Sequence, residues 1–73
     1  MNLHKLNVIV DFIHRQGPLP TDLKGDILSV DDLLAWYGFN EILSMEERHH
    51  VKRELFAMAE SQRFMERYRL SVP

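Results

Sequence analysis

The stretch SMEERHHVKRELFAMAESQRFMERYRL, residues 44–70, decides the fold. It opens on Ser44-Met45-Glu46-Glu47, a capping box: the serine hydroxyl and the glutamate three places on each accept the other's backbone amide, satisfying donors that a helix start leaves open. No glycine or proline follows until Pro73. The spacing therefore predicts one helix over 45–70, and 26 residues at the helical rise span about 39 Å. A compact chain of 73 residues has a radius of gyration of about 11 Å and a diameter near 30 Å. A helix of that length is expected to overhang its own domain, bend, or pack on something else.

On a helical wheel the stretch carries two neighbouring apolar stripes. Val51, Leu55, Met58, Gln62 and Met65 form one, and Ala57, Ser61, Phe64 and Tyr68 form the other. One stripe serves to pack on the rest of the domain. Two stripes suggest two separate contacts, since the first two helices have narrow faces of their own. The first stripe also has the spacing of coiled-coil a and d positions, but two heptads with a glutamine inside them are too few to define a coiled coil.

Working toward the N-terminus, Asn2 is placed to cap a helix over 3–15, with Leu3, Leu6, Ile9/Val10 and Ile13 at helical spacing and Gly17-Pro18 as a stop. The three consecutive β-branched residues Val8-Ile9-Val10 suit a strand as well, so residues 6–13 carry a strand alternative. No second strand-like run is available to pair with it, which favours helix. Between Gly17 and Leu28, two glycines, two prolines, two aspartates and a threonine describe an ordered connection with turns at Pro18-Leu19-Pro20 and Lys24-Gly25-Asp26. Leu19, Leu23, Ile27 and Leu28 are expected to tuck it onto the core; the alternative is a binding loop. Ser29-Val30-Asp31-Asp32 then caps a short helix over 30–37, both aspartates near the positive end of its dipole. Gly38 suits the left-handed position after it, with Phe39 folding back as the apolar contact. The expected fold is all-α: one domain, 1–73, of three helices over 3–15, 30–37 and 45–70.

Composition narrows the function. At 45% apolar and 27% charged residues the chain lies in the globular range rather than the disordered one. Cysteine is absent, which removes disulfides, thiolate catalysis and cysteine-type zinc sites and fits a reducing compartment, with the cytoplasm as the default. The longest apolar run falls far short of the roughly 20 residues a membrane span needs, and no basic segment precedes an apolar signal core. The net charge of −2 is unevenly spread: residues 1–47 carry three basic and eight acidic groups, while residues 48–73 carry six basic and three acidic. The helix over 45–70 lies partly across the acidic part, or else offers a basic edge to an acidic partner.

Candidate chemistry is sparse. Glu46-x-x-His49 and Glu47-x-x-His50 have the spacing of di-iron carboxylate bundles, but such sites need further carboxylates from facing helices, and Glu47 already belongs to the capping box. His4 and His14 lie ten residues apart and about 80° off one another on a helix, so they cannot share a metal. Ser29 and Ser44 are caps, Ser61 lies inside a helix, and no phosphate loop, nucleophile elbow or metalloprotease motif occurs. No cofactor, metal or catalytic residue is assigned. The order helix, Gly-Phe turn, helix is also that of a helix-turn-helix, in which Arg48, His49, Lys52 and Arg53 would meet a major groove. The connection from Gly38 to Ser44 is long for that motif, Glu46, Glu47 and Glu54 would crowd phosphates, and a pI near 6 is low for a DNA-binding domain. A small DNA-binding transcriptional regulator is thus the alternative, and nucleic acid the less favoured partner.

Trp36, Tyr37 and Phe39, the densest aromatic group, are expected in the core. The leading expectation is a non-enzymatic regulatory or adaptor protein that works through helix-mediated protein binding as a homodimer, with no membrane partner. Its contact residues are expected to be Met58, Phe64, Met65 and Tyr68, edged by Arg63, Arg67 and Arg69.

Overall fold

The computed structural model of the chain describes residues 2–71, with side chains through Arg69. Its helices are α1 (Leu3–Arg15), α2 (Val30–Trp36) and α3 (Met45–Ser71), and no strand occurs among the described residues. The fold is therefore all-α, as the periodicity predicts. Helix α2 stops one residue earlier than expected, with Tyr37 as its cap.

Each helix starts where a side-chain oxygen can accept an orphan amide. Asn2 Oδ1 takes the Lys5 N–H at 3.0 Å, and Ser29 Oγ takes that of Asp32 at 3.2 Å. At α3 the box closes in both directions: the Glu47 N–H donates to Ser44 Oγ at 3.2 Å, and the Ser44 N–H donates to Glu47 Oε1 at 2.9 Å. The strand alternative for residues 6–13 is excluded. Every residue from Leu3 to Arg15 is helical, because Leu6, Ile9 and Ile13 lie on one face and are buried there, which outweighs the β preference of Val8 and Val10.

The end of α2 shows how a turn is written into sequence. Gly38 sits at φ +78°, its N–H donates to the Ala35 carbonyl at 3.1 Å, and the Phe39 N–H reaches back to the Leu34 carbonyl at 2.9 Å. These are the two bonds of a Schellman motif. The turn aims Phe39 at the core, where its ring stands edge-on to Phe12 with centroids 5.8 Å apart.

The core is formed by Leu6, Ile9 and Ile13 of α1, Leu33 and Leu34 of α2, Val51, Leu55 and Ala59 of α3, and Leu19 and Leu43 from the connections. Helix α1 runs alongside α3 in the same direction. Near its start the Lys5 ammonium meets the Glu47 carboxylate at 2.9 Å and also donates to the Ile42 carbonyl. Past its end Leu19 meets Gln62, whose side-chain amide accepts the Leu19 N–H at 2.7 Å and donates to the Leu19 carbonyl at 3.3 Å. Gln62 thus anchors the connection to the long helix through both backbone polar groups of one residue.

That connection is ordered from within. Asp22 Oδ1 accepts the N–H groups of Lys24 and Asp26 at 2.8 and 3.0 Å, and Thr21 and Ile27 form a single antiparallel bridge. Leu19 is buried and Ile27 and Leu28 pack on the core, but Leu23, at 107% exposure, does not. It occupies the tip of the turn that Asp22 closes, which points it away from the helices.

Helix α3 outruns everything packed against it. Its 27 residues span about 40 Å, and the described chain measures 46 × 23 × 17 Å with a radius of gyration of 13.3 Å. The overhang expected from its length is present. The core contacts along α3 end at Ala59, and the tie to Leu19 ends at Gln62.

Candidate functional site

The two stripes of α3 have different fates. Val51 and Leu55 are fully buried, Met58 is half-buried, Gln62 holds Leu19, and Met65 emerges at 54% exposure. The first stripe is therefore a core stripe over its first three turns and a surface stripe at its end. The second stripe is exposed along its whole length: Ala57, Ser61, Phe64 at 66% and Tyr68 at 59% all face outward. Ala59 is buried although neither stripe includes it. Alanine packs wherever two helices approach closely, so periodicity of large residues misses it.

The expected contact residues Met58, Phe64, Met65 and Tyr68 thus fall on adjoining surfaces of α3. Met58 and Met65, with Ser61 and Gln62, line one side of a cleft of about 220 Å³, and Ile13, His14 and Leu19 line the other. Phe64 and Tyr68 lie beside that cleft, on the part of α3 that α1 and α2 leave uncovered. The basic edge follows the same two turns. Arg63 is paired with Glu60 at 3.2 Å, while Arg67 and Arg69 are exposed with no ion pair among the described residues.

A second apolar groove, of about 320 Å³, was not legible as a site in the sequence. Val8, Ile9 and Phe12 of α1 form one wall, and Tyr37, Phe39 and Ile42 form the other. Its signal was present: Val8 and Phe12 are one turn apart on the face of α1 opposite Leu6 and Ile13. Trp36 corrects an expectation too. It is 66% exposed, because α2 is only two turns long and buries the adjacent pair Leu33 and Leu34, leaving the tryptophan on the outer side.

The residues of the nucleic-acid alternative divide. Arg48 donates to the Asn40 side chain at 2.7 Å and to the Asn40 carbonyl, and Lys52 pairs with Asp31 at 2.6 Å. Both are held at the surface by other groups of the protein. His49 and Arg53 are exposed. The Lys52–Asp31 pair accounts for part of the charge asymmetry: Lys52 on α3 meets the acidic first turn of α2, and the basic half of the chain compensates the acidic half at that point.

The carboxylates and histidines form no cluster of three metal-ligating side chains among the described residues. Glu47 is committed elsewhere. The Ser44 N–H, then the Lys5 ammonium, hold its carboxyl well below the usual range, at about 2. A group so stabilised in its charged form is a structural anchor, buried at the joint between α1 and α3. Burial raises the Tyr37 hydroxyl above its ordinary value. No helix among the described residues is long and apolar enough to cross a membrane.

Compared with known proteins, the chain matches no family model, and no curated sequence or solved structure is significantly similar to it.

Proposed function

We propose that the chain is a small, non-enzymatic regulatory or adaptor protein that acts through helix-mediated protein binding and works as a homodimer. The observation that carries this reading is the projecting end of α3, where Phe64, Met65 and Tyr68 are more than half exposed beyond the last core contact. Contiguous large apolar side chains on a helix that the domain itself does not cover are stabilised by a partner that covers them. Their burial is worth on the order of 1.5–3 kcal/mol for each fully covered side chain before the costs of association are counted.

The mechanism is occlusion. The apolar end of α3, edged by Arg63, Arg67 and Arg69, lies against an apolar surface with acidic surroundings and so denies it to other molecules. The proposed setting is the cytoplasm, where a chain without cysteine forgoes no disulfide.

Sedimentation velocity across a wide range of protein concentrations tests the reading. The expected result is a concentration-dependent shift from 8.7 kDa toward twice that mass. A species that stays monomeric at high micromolar concentration, with α3 fully helical by circular dichroism, overturns the homodimer.

A further inference from the structure

We infer that the uncovered stripe of α3 pairs with the same stripe of a second copy, antiparallel, about a twofold axis at the level of Gln62 and Arg63. The inference rests on the homodimer proposed above and specifies its geometry. What singles out a second copy as the occupant is the pattern of the stripe itself.

The stripe is tapered. Ala57 and Ser61, both small, precede Phe64 and Tyr68, both large, and all four are exposed. Their spacing of four, three and four residues is that of alternating d and a positions over a heptad and a half. In an antiparallel pair each a residue faces a d residue, so Ala57 lies opposite Tyr68 of the other copy and Ser61 opposite Phe64. Every layer then holds one small and one large side chain. A parallel pair in register instead sets Phe64 on Phe64 and Tyr68 on Tyr68 while leaving a gap at Ala57 and Ser61, a combination of crowding and voids that close packing disfavours.

Charge on the flank agrees with the same register. Glu60 and Arg67 are the g positions of this stripe, and antiparallel helices bring g against g. About the stated axis Glu60 of one copy and Arg67 of the other differ by about 3 Å along the helix. The twofold makes this contact twice. Arg67 has no ion pair among the described residues. The Glu60 carboxylate receives Arg63 at 3.2 Å through one oxygen, Oε1, and its other oxygen is free to accept a second guanidinium. A twofold contact of this kind is closed, so it ends at two copies and does not propagate into fibres.

The approach is open. Helix α2 meets α3 on the side of Lys52, helix α1 on the side of Glu47 and Met58, and the tapered stripe lies on the remaining side. Only at Ser61 does it adjoin the mouth of the cleft beneath His14.

Charge reversal and cross-linking test the register together. Sedimentation of Arg67→Glu and of Glu60→Arg is expected to show a dimer about tenfold weaker in each case, the order that two rim ion pairs support, whereas the double variant Glu60→Arg/Arg67→Glu recovers the wild-type affinity. Because the chain has no cysteine, disulfides are readily placed. Ala57→Cys alone is expected not to cross-link, since the two sulfurs lie about 16 Å apart along the pair, far beyond disulfide reach. A mixture of Ala57→Cys with Tyr68→Cys is expected to give a covalent dimer on mild oxidation. A wild-type dimer in which Ala57→Cys cross-links to itself, or in which the double reversal fails to rescue, overturns the antiparallel register and leaves the homodimer standing. A wild-type monomer overturns both.

Discussion

At the scale of single residues, Glu47 shows how one side chain joins several parts of the molecule. Its Oε1 accepts the Ser44 N–H and the Lys5 ammonium, both at 2.9 Å, so it closes the start of α3 and ties it to α1. Half of this was legible in the sequence: Ser44 and Glu47 at a spacing of three announce a capping box. Lys5 was not, because nothing local marks a contact between residues 42 positions apart. Gln62 is the same case, reading as a polar fault in an apolar stripe until its bonds to Leu19 are seen. The pH dependence follows from the sign of the Glu47 shift. Its folded pKa, about 2, lies below the ordinary 4.5, so the stabilisation is complete above pH 4.5 and is lost as pH falls toward 2. Urea titrations of the wild type and Glu47→Gln are therefore expected to differ at neutral pH and to converge as pH falls through that interval. A constant difference across it would show that the carboxylate's charge contributes nothing to the joint.

At the scale of elements, what sequence reveals depends on whether an element is specified locally or by its neighbours. Caps and stops are local. Asn2, Ser29 and Ser44 start their helices, and Gly38 ends the second by adopting a φ of +78° that side chains rarely occupy. Residues 6–13 are decided by neighbours: the β-branched run left strand and helix both open, and burial of Leu6, Ile9 and Ile13 against α3 selects helix. Trp36 is likewise a tertiary outcome, exposed because the short α2 has room to bury only Leu33 and Leu34. The Schellman turn gives a prediction at this scale. Space is open around Gly38, with no atom within 4 Å of an added Cβ, so Gly38→Ala meets backbone strain alone. The expected cost is about 1–2 kcal/mol, read as a lower urea midpoint with an unchanged slope. Gly38→Asn, which tolerates the left-handed region better, is expected to cost less.

At the scale of the whole molecule, the decisive relation is between a long helix and a small core. Length alone left α3 to overhang, bend or pack on something else, and the 46 Å extent selects the overhang. That one stripe of α3 would face inward was also legible, but which of the two was not, and the structure buries the one that starts at Val51 and Leu55. Beyond Met58 the spacing continues through Gln62 to Met65, and only the position of α1 and its connection fixes where core becomes surface. Two substitutions separate these regions. Leu55 is fully buried among α1, α2 and α3, so Leu55→Ala is expected to cost about 2–5 kcal/mol, a large share of the few kcal/mol that hold so small a domain. Phe64 lies outside the buried core and is two-thirds exposed, so Phe64→Glu is expected to change the folded monomer by no more than about 0.5 kcal/mol. Association couples to stability by mass action: a dimer that forms only from folded chains melts at higher temperature as concentration rises. Thermal melts followed by circular dichroism are therefore expected to be concentration-dependent for the wild type and concentration-independent for Phe64→Glu, with the two curves meeting at high dilution. Leu55→Ala is expected to melt lower at every concentration while keeping the dependence wherever it folds. If Phe64→Glu retains the full concentration dependence, the projecting end of α3 is not the surface through which copies meet.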